Sequence, residues 1–139
     1  MSIEFKKNDY LTTQAHAILH FIQKMDIEML DLILSNDYTY QDFHKSVFIR
    51  KLGYAFDEFM EAGNSHLKKY EGLCDAKICN YKCPGFTFIG NKTNHFFDLI
   101  IDIKDGVVCD IYECTIFKNE KQITRKETRV LLNRPLFDE

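Results

Sequence analysis

The sequence predicts an α+β domain in which three N-terminal helices pack on a mainly antiparallel sheet. Three observations carry that prediction. Apolar residues recur at helical spacing through the first half, β-favouring runs fill the second half, and two turn signals join the later runs. The pattern changes near Gly63 with no repeat, low-complexity stretch or Pro/Gly/Ser-rich linker. A chain of 139 residues has room for one core and not for two. Residues 1–139 are therefore read as a single domain, with a core over about 9–118 and an extension over 119–139.

The first helix is expected from Leu11 to Met25, where Leu11, Ala15, Ile18, Leu19, Ile22 and Met25 form one stripe, capped by Thr12 or Asp9. Asp26 then caps a short second helix through Ile27, Leu30, Ile33 and Leu34, which ends at the turn-favouring Ser35, Asn36 and Asp37. Tyr38, Thr39 and Tyr40 are too few for more than a short strand. Asp42 is expected to cap a third helix from Phe43 to about Ala62, stopped by Gly63 and Asn64 and carrying Val47, Phe48, Leu52, Ala55, Phe56, Phe59 and Met60. Gly53 lies inside it and costs ~1 kcal/mol relative to Ala, so a close contact with another element is the expected compensation.

Strands are expected over about 66–78, 86–89, 95–103 and 107–117. Asp105-Gly106 is a strong two-residue hairpin signal, and Gly90-Asn91-Lys92-Thr93-Asn94 is a longer turn between two apolar runs. A two-residue turn pairs Lys104 with Val107, Ile101 with Asp110 and Leu99 with Tyr112. In that register one face carries Phe97, Leu99, Ile101, Ile103, Val108, Asp110, Tyr112, Cys114 and Ile116. It is the better core face, and Asp110 is its one charge.

Composition narrows the function. Twelve Phe and no Trp predict a Phe-rich core, and 45% hydrophobic against 28% charged residues argues against disorder. The net charge of −3 gives no general attraction to a phosphate backbone, and the basic spots at Lys68-Lys69 and Lys121 to Arg129 have acidic residues interleaved, so no nucleic acid is expected. No apolar run reaches the ~18 residues that span a bilayer, and Met1 to Tyr10 is polar, so no membrane is expected and the chain is placed in the cytoplasm.

The tight helix pair around Asp26, the Tyr38-Thr39-Tyr40-Gln41-Asp42 entry to the third helix and the long strands around Asp105-Gly106 follow one another in an order similar to that of the nuclear transport factor 2-like superfamily. That superfamily includes ketosteroid isomerase-like and polyketide cyclase-like (SnoaL-like) proteins. The resemblance is one of architecture over residues 9–118, with no diagnostic short motif. It implies a strongly curved, cone-like sheet holding the helices in its concave face, a pocket, and a homodimer through the convex face of the sheet. Isomerases, cyclases, dehydratases and non-catalytic adaptors all use the fold, so the chemistry stays open.

Asp110 is the first candidate for chemistry, because a carboxylate among apolar neighbours has its charged form disfavoured and its pKa raised toward neutral pH. Its competing reading is a solvated or ion-paired carboxylate at the open end of the sheet. A ketosteroid isomerase-type site would add a phenol as oxyanion donor, for which Tyr112, Tyr38, Tyr40 and Tyr54 are candidates. His95 falls on the Phe97 face, and Phe97 and Leu99 would line the cavity under the third helix. His16 and His20 stand four apart but fall opposite the apolar stripe, which reads as a solvated face. His44 and His66 read as surface or capping residues.

Cysteines concentrate in the sheet half. Cys74-x4-Cys79-x3-Cys83 lacks the paired CxxC spacing of structural zinc sites. The hairpin registers nevertheless set Cys83 opposite Asp102 and Asp102 opposite Cys109, so zinc held by Cys79, Cys83 and Cys109, with Cys74 or a carboxylate as the fourth ligand, is one reading. Buried, reduced cysteines acting as small apolar residues are the other. The leading functional expectation is a domain binding a small apolar ligand, with isomerase-, cyclase- or dehydratase-like activity left undecided and no cofactor unless zinc. The alternatives are a non-catalytic dimeric interaction module plugged by its own Phe side chains, and a zinc-stabilised module.

Overall fold

The computed structural model describes residues 12–73, 84–113, 118–119 and 128–132. Three helices precede an antiparallel sheet: α1 (Thr13–Lys24), α2 (Ile27–Ile33), α3 (Lys45–Glu61), then β1 (Leu67–Leu73), β2 (Pro84–Gly90), β3 (Phe96–Lys104), β4 (Val107–Glu113) and the two-residue β5 (Lys118–Asn119). The strand order is β4-β3-β2-β1-β5. The α+β class and the element order are as expected. The sheet is open and not strongly curled, so the expected cone does not form.

The caps explain the helix boundaries. Thr12 Oγ1 accepts the Ala15 amide and Asp26 Oδ1 accepts the Met29 amide, each closing one of the free donors of a first turn. Between α1 and α2, Met25 takes a left-handed φ of 55°, and its amide donates to the Ile22 carbonyl, which turns the chain in a single residue. The third helix starts later than expected. Gln41 and Asp42 both take positive φ, Tyr40 and Phe43 exchange backbone hydrogen bonds across them, and Asp42 is consumed in that turn. His44 is the cap instead, its Nδ1 accepting the Ser46 amide.

The helices lie on one face of the sheet. Ile18, Leu19, Ile22, Leu30, Phe48, Leu52, Phe56 and Phe59 meet Phe86, Phe88, Phe97, Leu99, Ile101, Val108 and Ile111 in one core. The aromatic contacts run Phe59 to Phe97 at 5.4 Å and Phe97 to Phe88 at 5.6 Å between ring centroids, within the range of favourable ring pairs. The opposite face, expected to carry a dimer contact, is itself buried within the chain at Thr87, Ile89, Phe96, Asp98 and Ile100.

Both hairpins form, and one of them departs from the expected register. Lys104 pairs with Val107 and Ile103 with Val108, after which the ladder slips: Asp102 pairs with Asp110, Ile101 with Ile111 and Leu99 with Glu113. Cys109 is the inserted residue of a β-bulge, and one extra residue exchanges the faces of everything beyond it. Ile111 and Glu113 thereby take the helix-facing positions that Asp110 and Tyr112 were expected to hold.

Two side-chain amides join the layers. Asn64, buried after α3, accepts the Lys92 and Thr93 amides at 2.8 and 3.0 Å and donates to the Phe59 carbonyl and Thr93 Oγ1 at 3.0 and 2.8 Å. It fills the space over Gly90, where a Cβ would lie far inside van der Waals contact of its amide. Gln14 of α1 donates to the Ile33 carbonyl at the end of α2 and accepts the Val108 amide of β4. Gly53 is different. A Cβ there would meet only Ile27 Cγ1, at an ordinary 3.9 Å, so the expected close contact within the chain is absent among the described residues.

Candidate functional site

Asp110 does not stand at the wall of an apolar hollow. Its Oδ1 accepts the Gln41 amide at 2.8 Å, and its carboxylate also takes the Ile111 amide. Burial raises its pKa above the usual carboxylate value; the two amide bonds oppose that rise, and Asp102 and Asp42 add to it. The group acts as a brace. β4 is an edge strand, and its outward amides at Val108, Ile111 and Glu113 are met by Gln14, Asp110 and Gln41 side-chain oxygens in turn. These three amides are thereby not free to pair with another strand.

Of the phenols and the histidine expected beside Asp110, Tyr40 lies within range of its charge and Tyr112 shares its face of β4, while Tyr38, Tyr54 and His95 are placed elsewhere. Tyr40 is fully buried with its ring 5.3 Å from that of Phe48, and its hydroxyl donates to the Ser35 carbonyl at 2.9 Å. Burial pushes its pKa up to about 12. Tyr112 lies beyond the bulge on the face away from the helices, Tyr38 is exposed after α2, and Tyr54 is exposed on α3. His95 sits in the turn between β2 and β3, its Nδ1 2.7 Å from Thr93 Oγ1. Asp110 pairs with Asp102, and the run of strand from His95 to Asp102 spans ~23 Å, so the two cannot share one reacting atom. Phe97 and Leu99, the expected cavity lining, are 0% exposed.

Cys74, Cys79 and Cys83 lie outside the described residues, as does Cys114. Cys109 is described and its thiol is free, with Sγ 3.5 Å from the Asp102 carbonyl oxygen. The expected pairing of Asp102 with Cys109 is corrected to Asp102 with Asp110, because the bulge inserts Cys109. Burial raises the Cys109 pKa, and the carboxylates of Asp102 and Asp110 reinforce the shift. No group of three or more His, Cys, Asp or Glu at metal-binding distance occurs among the described residues.

Two buried charges escaped the sequence reading: Lys51 of α3, 6% exposed with its Nζ 4.6 Å from the Phe43 ring centroid, and Asp98. Asp98 is 3% exposed on the sheet face away from the helices, hydrogen-bonded by Thr87 Oγ1 and paired with Arg129 at 2.9 Å. Burial raises its pKa, while Thr87 and Arg129 pull it down. Arg129 also lies 4.7 Å over the Phe96 ring. Its segment runs parallel to the start of β3, with the Val130 amide on the Phe96 carbonyl and the Leu132 amide on Glu113 Oε2. This arrangement fastens the segment to the sheet beside Asp98.

A concavity with an apolar floor lies between α2 and α3. Met25, Ile27, Gly53 and Phe56 form its floor, with Tyr54 and Met60 on its walls and a volume of about 270 Å³. Arg50 and Asp57 stand at its rim. Tyr54 is 36% and Met60 46% exposed, although the helical stripe placed Met60 with the core. The signal that could have found this site was the helix-interior glycine beside opposite charges seven residues apart. Comparison with known protein families, characterised proteins and solved structures finds no match for the chain. Among the described residues no helix is long and apolar enough to cross a membrane.

Proposed function

We propose that this chain is a non-catalytic interaction domain that uses the groove between α2 and α3, its interior being plugged by its own aromatic side chains. The observation that carries the reading is the full burial of Phe97 and Leu99, with Phe97 wedged between Phe59 and Phe88 where a ligand would enter. Catalysis in that space would also need an ionisable group there. Asp110 is bound by two backbone amides and the Tyr40 hydroxyl by a carbonyl, so neither supports acid–base work. A small apolar molecule would use the outer groove, which lies just below the ~300–1,000 Å³ typical of ligand pockets.

Methyl-labelled protein titrated with dissolved benzene tests the reading. Shifts confined to the methyl groups that line the groove, those of Met25, Ile27 and Met60, are expected. Saturable shifts at Leu99 and Ile101 would show an interior that admits ligand and would overturn it.

A further inference from the structure

We infer that His16 and His20 of α1 form a two-point chelate for a divalent transition-metal ion of the copper or zinc kind, at a site separate from the groove. Three observations lead there. Both residues lie inside the helix Thr13–Lys24, in the run His16-Ala17-Ile18-Leu19-His20. A spacing of four sets them one turn apart on one face, with Cβ atoms ~5–6 Å from each other, a separation at which two imidazoles can reach one ion. Both are exposed, off the stripe of Ala15, Ile18, Leu19 and Ile22 that the helix buries.

Hydrogen bonding divides the histidines into two groups. Nδ1 of His44 is 2.9 Å from Ser46 Oγ, that of His66 3.2 Å from Ser65 Oγ, and that of His95 2.7 Å from Thr93 Oγ1. The rings of His16 and His20 have no hydrogen-bond partner among the described residues, so their nitrogens are not committed to the fold. His20 makes a T-shaped contact with Phe21, centroids 5.1 Å apart, which steadies its ring without using a nitrogen. The two uncommitted rings are thus the two that share a helix face.

The donor set selects the metal. Imidazole suits copper and zinc, while magnesium and calcium require oxygen ligands, and α1 contains no carboxylate. Ala17-Ile18-Leu19 also lacks the glutamate that serves as base in H-E-x-x-H helices, so the pair binds a metal without hydrolytic chemistry. Two imidazoles fill two coordination positions and water the others, which makes the affinity modest, with copper held ahead of zinc. Lys24, the one formal charge of α1, stands a turn beyond His20 and limits it further.

Copper(II) carried by iminodiacetate offers the protein two adjacent coordination positions and is the probe, read residue by residue as paramagnetic broadening in amide NMR spectra of the full chain. Broadening should centre on the turn from His16 to His20 and saturate below about 1 mM probe. His16→Gln and His20→Gln should each raise the dissociation constant at least about tenfold, because one imidazole offers no chelate. Both side chains are exposed, so circular dichroism of the variants should match the wild type. Broadening centred on Cys109 and away from α1 would overturn the inference. So would the absence of saturable broadening, or single variants that hold the probe as tightly as the wild type.

Discussion

Replacing Arg129 by Met should destabilise the domain by about 3 kcal/mol at pH 7, and the deficit should shrink in acid. Asp98 is 2% exposed at its side chain, and the 2.9 Å guanidinium contact is its one ion pair among the described residues. Breaking a buried pair from one side costs ~3–5 kcal/mol because the remaining charge stays desolvated. The lower end applies here, since the Arg129 side chain is 18% exposed and Met preserves apolar cover over Phe96.

The sign of the pH dependence follows from the direction of the shift. Asp98 holds its proton to higher pH in the folded than in the unfolded state, because burial dominates. Its contribution is complete below the unfolded value of 3.8 and is lost as pH rises through the folded value. Removing Arg129 raises the folded value further, so the variant escapes its penalty by protonation in acid and bears it in full at neutrality. With an m-value of ~2 kcal/mol/M, 3 kcal/mol is a drop of about 1.5 M in the urea midpoint. Paired urea titrations of both proteins near pH 7 and pH 4.5 would measure it, and Asp98→Asn on the Arg129→Met background should recover at least half the loss. A deficit under ~1 kcal/mol at pH 7, or one equal at the two pH values, would refute the assignment of a desolvated carboxylate that depends on its guanidinium.

Asn64→Ala should lose about 2 kcal/mol by removing the acceptor of two part-buried amides, Gly90→Ala should lose a similar amount by displacing that side chain, and the double variant should fall well short of the sum in chemical denaturation. Tyr40→Phe should cost about 1 kcal/mol and remove the phenol that ionises at about 12 in an absorbance titration. Gln14→Ala should accelerate hydrogen exchange of the Val108 amide about tenfold and leave that of Ile111, which is held by Asp110, unchanged.

Local rules were readable in the sequence wherever one residue type satisfies one backbone demand. Asp26 and Thr12 cap helices because their oxygens reach free amides, and Asp105-Gly106 turns because both residues take positive φ. The same logic failed at Asp42, since Gln41 and Asp42 also adopt positive φ, and nothing in their type distinguishes a cap from a turn. Along β4 the face assignment failed for one reason. Periodicity assigns faces by counting, and the Cys109 bulge adds one to the count, so Asp110 and Tyr112 exchanged places with Ile111 and Glu113. The bulge has a reason that only the tertiary structure supplies: it leaves Asp110 at the strand edge, where its carboxylate meets the Gln41 and Ile111 amides, and carries Ile111 into the core. The carboxylate that alternation placed on the core face thereby braces the strand edge instead. Gly53 is a place where local preference and fold disagree within the described chain, since a Cβ there would meet only Ile27 Cγ1 at 3.9 Å and the helix would gain by it.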